Sequence, residues 1–448
     1  MEDNRKQETD FLKETIKQRP LNRKKLLRRT IITAAMAVIF GTVACLTFLL
    51  LEPVISNRLY PEEEPSTVVF VEETEENEKL PEDMIADDSQ MIPEPTPEPT
   101  PVPTPEPDPA EVEERIAQVL AEMKLGINHY ESLYGALAGV AGEVQKSMVT
   151  VAGVTSDVDW FDNAYENRGM VSGVIVADNG RELLVLANVN AIKGAESVTI
   201  TFADGMEYAA SVKKKDGNTG LAVLSVLKTD IKMSTAETAK PVTLGTSAIS
   251  NLSGQPVIAL GHPMGAAGSV CYGFITSSGN AIDLPDSRYK WMTTDIYGST
   301  GATGVLSDLK GQVIGIIDMS YSGSDTKNLI GAVGITELKR VIQRLSNDES
   351  IPYMGVYGAD VTVEAHEELG VPLGAYIMEI DMDSPAMDAG IQSGDVIISV
   401  DGNEIVTYQE LIGAIVGGEP EQNLSIGLLR QGPEGYAEMN LNVVLSMK

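Results

Sequence analysis

Residues 298–316 read GSTGATGVLSDLKGQVIGI, and the fold turns on what this stretch is. Its second half reads as a strand pair: the apolar runs around Val305-Leu306 and Val313–Ile316 flank a turn through Asp308, Lys310 and Gly311. Its first half is a loop of glycines and small side chains placed just before that pair.

Around it, residues 147–345 carry short β-rich runs broken by Gly, Asp and Asn: MVTVAGV, GMVSGVIVAD, ELLVLANV, SVTITFADG, LAVLSV, PVIALG, VCYGFITSSG, YKWMTTDI and IGAVGI. Many short strands with turn punctuation predict an all-β barrel or sandwich. ITELKRVIQRLSND then predicts a closing amphipathic helix. Residues 351–446 alternate strand, short helix, strand, turn and helix, with Asp401-Gly402 as a tight hairpin turn.

The length of 448 residues suits two or three domains. With 33 Lys/Arg against 65 Asp/Glu the formal charge is −32, which speaks against nucleic acid as a partner because phosphates would be repelled. Cys45 and Cys271 are far apart in sequence and setting, so no disulfide framework is expected. The histidines are His129, His262 and His366, and no cluster has metal-ligand spacing. No glycine-rich phosphate loop joins a strand to a helix, so no cofactor is expected.

Residues 31–51, IITAAMAVIFGTVACLTFLLL, are apolar or small and carry no charge. A helix of that length crosses a hydrocarbon core of ~30 Å. Residues 1–30 hold ten Lys/Arg and five Asp/Glu, and Glu52 opens an acidic stretch. That asymmetry predicts a single-pass protein of the cell membrane, its basic tail cytoplasmic and the remainder outside. Residues 52–112 read as an acidic, disordered linker, with Pro at every second position from 93 to 109 favouring an extended stalk. From Ala110 to about Lys146 the periodicity is helical, with Ile116, Val119, Leu120 and Met123 on one apolar face.

The order of anchor, acidic linker, β-rich region and C-terminal module resembles the membrane-anchored HtrA/Deg trypsin-like serine proteases with a PDZ domain. GVIVADNGRELLVLANVNAIKGAESVTITFADG, GNTGLAVLSV, PVIALGHPMG and the 298–316 stretch with its preceding TTDIY carry the resemblance over about residues 130–446. It implies a mainly β fold: a trypsin-like double β-barrel over 113–346, followed by a PDZ domain over 351–446. It also implies trimers, with contacts near Tyr130 and Tyr134.

Such an enzyme needs a serine nucleophile, a histidine base and a carboxylate that orients the histidine. The resemblance places Asn190, within ANVNAI, where the family has histidine, and Gly220, within TGLAVL, where it has aspartate. No histidine lies between His129 and His262, so a shifted alignment cannot supply the base. Counting back from Leu306 puts Ala302 at the nucleophile; counting forward from Asp295 puts Thr303 there, and a third register gives Thr300. None is serine. Asp216 lies four residues from Gly220, and Asp295 and Asp318 read as solvated or capping carboxylates. His262, in the GHPMG turn, reads as a packing or surface residue away from the catalytic centre.

In the C-terminal module, Tyr353-Met354-Gly355-Val356 resembles the loop whose backbone N–H groups bind a terminal carboxylate, and SPAMDAGIQSGDVIISVDG is its most specific match. Met354 and Val356 are expected in the peptide groove. Leu411, Ile412 and Ile415 are candidates for its wall, core packing being the alternative. The sequence therefore predicts a protein with no catalytic residues that binds peptides or protein C-termini, in extracytoplasmic quality control, scaffolding or regulation of an active HtrA relative. An active serine endopeptidase with an atypical site is the other reading.

Overall fold

The computed structural model describes residues 31–32, 34–43, 47, 65–70, 126–158 and 164–447. Residues 31–32 and 34–43 are helical, and among the described residues no helix is long and apolar enough to cross a membrane. The rest of the expected anchor and most of the linker, with the 110–125 part of the expected helix, lie outside the described residues.

Helix α1 (Ile127–Gln145) leads into the first barrel: β1 (Met148–Val158), β2 (Ala164–Asp178), β3 (Glu182–Asn188), β4 (Ser197–Thr201), β5 (Glu207–Lys215) and β6 (Leu221–Leu227). They close in the order β1-β2-β3-β6-β5-β4. A short helix α2 (Met233–Thr238) precedes the second barrel: β7 (Pro256–Gly261), β8 (Ser269–Leu284), β9 (Ser287–Tyr297), β10 (Thr303–Ser307), β11 (Val313–Asp318) and β12 (Leu329–Gly334). These close as β10-β11-β12-β9-β8-β7. Strands β10 and β11 are the pair predicted from residues 298–316, with Gly304 facing Ile317 and Leu306 facing Gly315.

Alternation along the strands fills each barrel. Val149, Val151, Ile175, Val185 and Leu224 pack inside the first, and Ala259, Met292, Leu306 and Ile317 inside the second. The opposite faces of β2, β3, β7 and β10 supply Val174, Leu186, Ile258 and Val305 to a third cluster between the barrels and helix α3 (Ile335–Ser346). Closed barrels leave no free strand edge.

Residues 65–70 depart from the expected disordered linker. This extended segment lies along α3: the Val68 N–H donates to Asn347 Oδ1 at 2.9 Å, and the Phe70 N–H to Gln343 Oε1 at 2.8 Å. STVVF is an uncharged run within the acidic stretch, and Val68 is buried in the core.

After α3 come β13 (Pro352–Tyr353), β14 (Val356–Asp360), α4 (Val363–Leu369), β15 (Ala375–Ile380), α5 (Pro385–Ala389), β16 (Val396–Val400), β17 (Asn403–Glu404), α6 (Tyr408–Gly417), β18 (Asn423–Gly432), β19 (Gly435–Val444) and β20 (Ser446–Met447). The sheet runs β14-β15-β16-β18-β19, so β14 is an edge strand. Asp401 and Gly402 turn β16 into β17 at φ 50° and 80°, as the Asp-Gly pair predicts. Arg340 and Arg344 of α3 donate to the Gly413 and Gly418 carbonyls of α6 and its C-cap, tying this module to the barrels.

Candidate functional site

The cavity between the barrels is lined by Asn188, Leu221 and Thr303, close in the chain to the positions that the sequence singled out. Asn188 caps a single 3-10 turn, Val189–Ala191, by accepting the Asn190 N–H at 2.9 Å. Asn190 stands exposed on that turn. The Val189 N–H donates to the Gly220 carbonyl at 2.8 Å, so the Asn190 and Gly220 positions are neighbours. Gly220 has φ +67°, and open space surrounds the place its Cβ would take. Asp216, four residues before Gly220, is engaged locally. It is buried and closes its own turn, accepting the Thr219 N–H at 2.9 Å and the Thr219 hydroxyl at 2.6 Å.

The opposite wall is the loop before β10. Ser299 to Ala302 form a turn in which the Ala302 N–H donates to the Ser299 carbonyl at 3.0 Å. Ala302 is 2% exposed, Thr300 is exposed, and Thr303 opens β10. Thr303 Oγ1 accepts the Ser172 N–H at 2.9 Å, so this hydroxyl joins the two barrels. In acyl-transfer enzymes, backbone N–H groups at the nucleophile bind the oxyanion. In the register that places Ala302 at the nucleophile, the corresponding N–H is engaged within the turn.

His262 is a packing residue, but it packs beside Thr303. Its N–H donates to the Thr303 carbonyl at 2.8 Å, and its Nδ1 shares a short hydrogen bond with Ser172 Oγ. The GHPMG turn therefore packs against the loop before β10 rather than away from it. Burial pushes the imidazole's pKa below its ordinary value, favouring the neutral ring. Sequence reasoning missed this serine–histidine pair because 90 positions separate its members.

The pair is close-packed. A Cβ on Gly261 would sit 2.5 Å from Ser172 Oγ, and one on Gly304 would sit 1.9 Å from the Leu260 carbonyl oxygen. The cavity beside it, lined by Ser172, Asn188, Leu221, Thr303 and Asp318, has about 20 Å³ of free volume. A water needs ~10–15 Å³, so the space has room for one. Asp318 caps a 3-10 turn through the Ser320 N–H, and Asp295 accepts the Phe274 N–H.

In the C-terminal module, the Tyr353–Val356 loop is anchored from both sides. The Ala386 N–H donates to the Met354 carbonyl and the Asp381 N–H to the Gly355 carbonyl, each at 2.9 Å. The Tyr353 hydroxyl donates to Asp381 Oδ2 at 2.7 Å. Gly355 has φ +87°, and a Cβ there would lie 2.3 Å from Ser384 Cβ. The fold itself thus requires this glycine, in addition to the expected close approach of a ligand. The side chains expected in the groove are buried: Met354, Val356, Leu411 and Ile415 are fully enclosed in the core, with Ile412 at 8% exposure. In a module with a thin core, a face that looks like a groove wall in sequence is also the face that must pack.

Two closed barrels meeting in a cleft, followed by a small sheet with a carboxylate-type loop, define a trypsin-like peptidase domain joined to a PDZ domain. The family model for the trypsin-like peptidase domain matches residues 171–316, and that for the PDZ domain matches 352–441. The chain is 31% identical over 273 residues to a probable periplasmic serine endoprotease DegP-like of Halomonas elongata, covering 60% of this chain and 55% of that protein. It is 30% identical over 280 residues to the putative serine protease HhoA of Synechocystis sp., covering 58% of this chain and 68% of that protein. The solved structure of the HtrA-type protease AlgW with decapeptide superposes with a TM-score of 0.51 at 22% identity, over 70% of this chain and 98% of that one. The chain belongs to the HtrA/DegP family of trypsin-like serine proteases with PDZ domains. It spans little more than half the length of the DegP-like relative from Halomonas elongata.

Proposed function

We propose that this protein is an HtrA-family pseudoprotease, anchored by residues 31–51 in the cell membrane with its barrels and PDZ domain outside. Its work is to bind peptides or protein C-termini through the PDZ domain, in extracytoplasmic quality control or in scaffolding an active relative. One observation carries this reading. The resemblance puts Asn190 at the base's position, and His262 is packed on Ser172 beside a space of water size. Asparagine accepts no proton near neutral pH, and a hydroxyl without a base is a weak nucleophile. The exposed rings of Tyr130 and Tyr134, 4.7 Å apart and tilted at 45° on α1, suit the family's trimer contact.

A second reading, an atypical serine endopeptidase, draws on the Ser172–His262 hydrogen bond. Treating the full-length protein with a fluorophosphonate probe separates the two. The pseudoprotease reading expects no labelling; labelling abolished by Ser172→Ala would establish the other.

A further inference from the structure

The carboxylate loop of the PDZ domain is occupied by the chain itself. Pro285 and Asp286 form the two-residue tip of the β8–β9 hairpin, where Leu284 pairs with Ser287. Asp286 is 4% exposed, and its side chain lies against the loop. Its Oδ2 accepts the N–H of Met354 at 2.7 Å and of Gly355 at 2.8 Å; its Oδ1 accepts those of Gly355 at 2.9 Å and Val356 at 3.0 Å. Three consecutive backbone N–H groups converge on one carboxylate, which is the geometry of an anion nest.

The mimicry extends to the main chain. The Asp286 N–H donates to the Val356 carbonyl at 2.8 Å, the first acceptor on the open edge of β14. A peptide that added a strand to this edge would begin with the same pair of interactions, a carboxylate on the nest and an N–H on this carbonyl. The strip beyond is filled as well. Tyr408, at the start of α6, donates its hydroxyl to the same Val356 carbonyl at 3.0 Å. Its ring lies against Gly358, where a Cβ would come 2.5 Å from the ring. Asp286 holds φ 54°, a backbone region uncommon for a residue other than glycine.

We infer that Asp286 is an internal ligand that closes the PDZ domain, so that a C-terminal carboxylate binds only when the hairpin tip withdraws. This rests on the reading of the domain as a peptide binder. One nest holds one carboxylate, so closure weakens the apparent affinity for an outside peptide by the ratio of closed to open forms. Tethering gives the internal group an effective concentration of the order of millimolar or more, against which a free peptide must compete. Withdrawal involves only the tip from Asp283 to Arg288, because the next pair, Ile282 with Tyr289, is buried in the cluster between the barrels and α3.

The test uses full-length protein, wild type and two variants. Asp286→Gly removes the carboxylate and suits the positive φ; Asp286→Asn keeps the shape, loses the charge and tolerates the same backbone. The probe is a fluorescein-labelled pool of decapeptides with random last four residues and free C-termini, with the C-terminally amidated pool as control. Binding is read by anisotropy, and amide hydrogen exchange is read over residues 353–358. Both variants should bind the free-acid pool at least about tenfold more tightly than wild type, a shift smaller than one charge-assisted hydrogen bond commonly gives. The amidated pool should not bind, and exchange at 354–356 should speed up. Wild type binding the pool as tightly as both variants overturns the closure and leaves peptide binding standing. Unchanged exchange in both variants overturns the occupancy itself. Faster exchange with no binding by any of the three proteins overturns the peptide-binding reading and the competition with it.

Discussion

Replacing Arg344 by alanine should uncouple the PDZ domain from the barrels. Arg344 sits in the last turn of α3 and is 7% exposed. Its Nη1 donates to the Ser350 carbonyl at 2.9 Å and its Nη2 to the Gly418 carbonyl at 2.5 Å. Glu349 and Glu419 approach to 3.8 and 3.9 Å, but their side chains are 47% and 75% exposed. Ion pairs of that kind contribute at most ~1 kcal/mol each and are screened by salt. The two hydrogen bonds dominate. Each bond from a charged donor is worth ~1.5–3 kcal/mol, and the relief of guanidinium desolvation offsets part of the sum, leaving a net loss of about 2–4 kcal/mol. Urea unfolding, followed by the fluorescence of the two tryptophans, Trp160 and Trp291, for the barrels and by hydrogen exchange over 413–418 for the PDZ domain, reads the effect. The midpoint should fall, and the single transition should split with the PDZ domain melting first. Arg344→Lys, which can reach one carbonyl but not both, should restore less than half the loss. An Arg344→Ala protein that keeps one transition at the wild-type midpoint refutes the reasoning.

Other consequences follow from the same geometry. Burial lowers the pKa of His262, so the folded protein keeps the ring neutral while the unfolded chain takes up a proton near pH ~6.5. The unfolded state binds more protons there, so stability should be full above that value and fall as pH drops towards 5; His262→Asn should flatten that slope in urea titrations. Gly355→Ala sets a Cβ 2.3 Å from Ser384 Cβ at φ +87° and should cost ~2 kcal/mol or more, seen as a lower PDZ melting temperature. Restoring the triad residues together, Asn190→His with Gly220→Asp and Ala302→Ser, should leave the protein unlabelled by fluorophosphonate, because the Ala302 N–H remains bonded to the Ser299 carbonyl at 3.0 Å.

The barrels were legible because their determinants are local. Alternating Val, Ile and Leu with Gly and Asp turns marks each strand, and β10–β11 lie where residues 298–316 place a strand pair. Asn190 and Gly220 could be singled out for the same reason, as single residues inside short patterned segments. What escaped were contacts between distant segments. Ser172 meets His262 across 90 positions, and Asp286 meets Gly355 across 69. Neither pair leaves a spacing or a composition signal. The Pro285-Asp286 turn could have marked a hairpin tip, but nothing local says what that tip touches. Likewise Leu411 and Ile415 carry the pattern of a helix face without saying whether core or ligand covers it; in the fold, the core does.

The central claim is that no base in the cleft is placed to take a proton from a nucleophile and return it to a leaving amine, His262 being packed on Ser172 in the wall. Purified full-length protein incubated with unfolded casein, with new N-termini counted by mass spectrometry, tests it most directly. The account predicts a count equal to that of buffer alone and of the Ser172→Ala protein. Cleavage that persists through purification and disappears with Ser172→Ala or Thr303→Ala would contradict it.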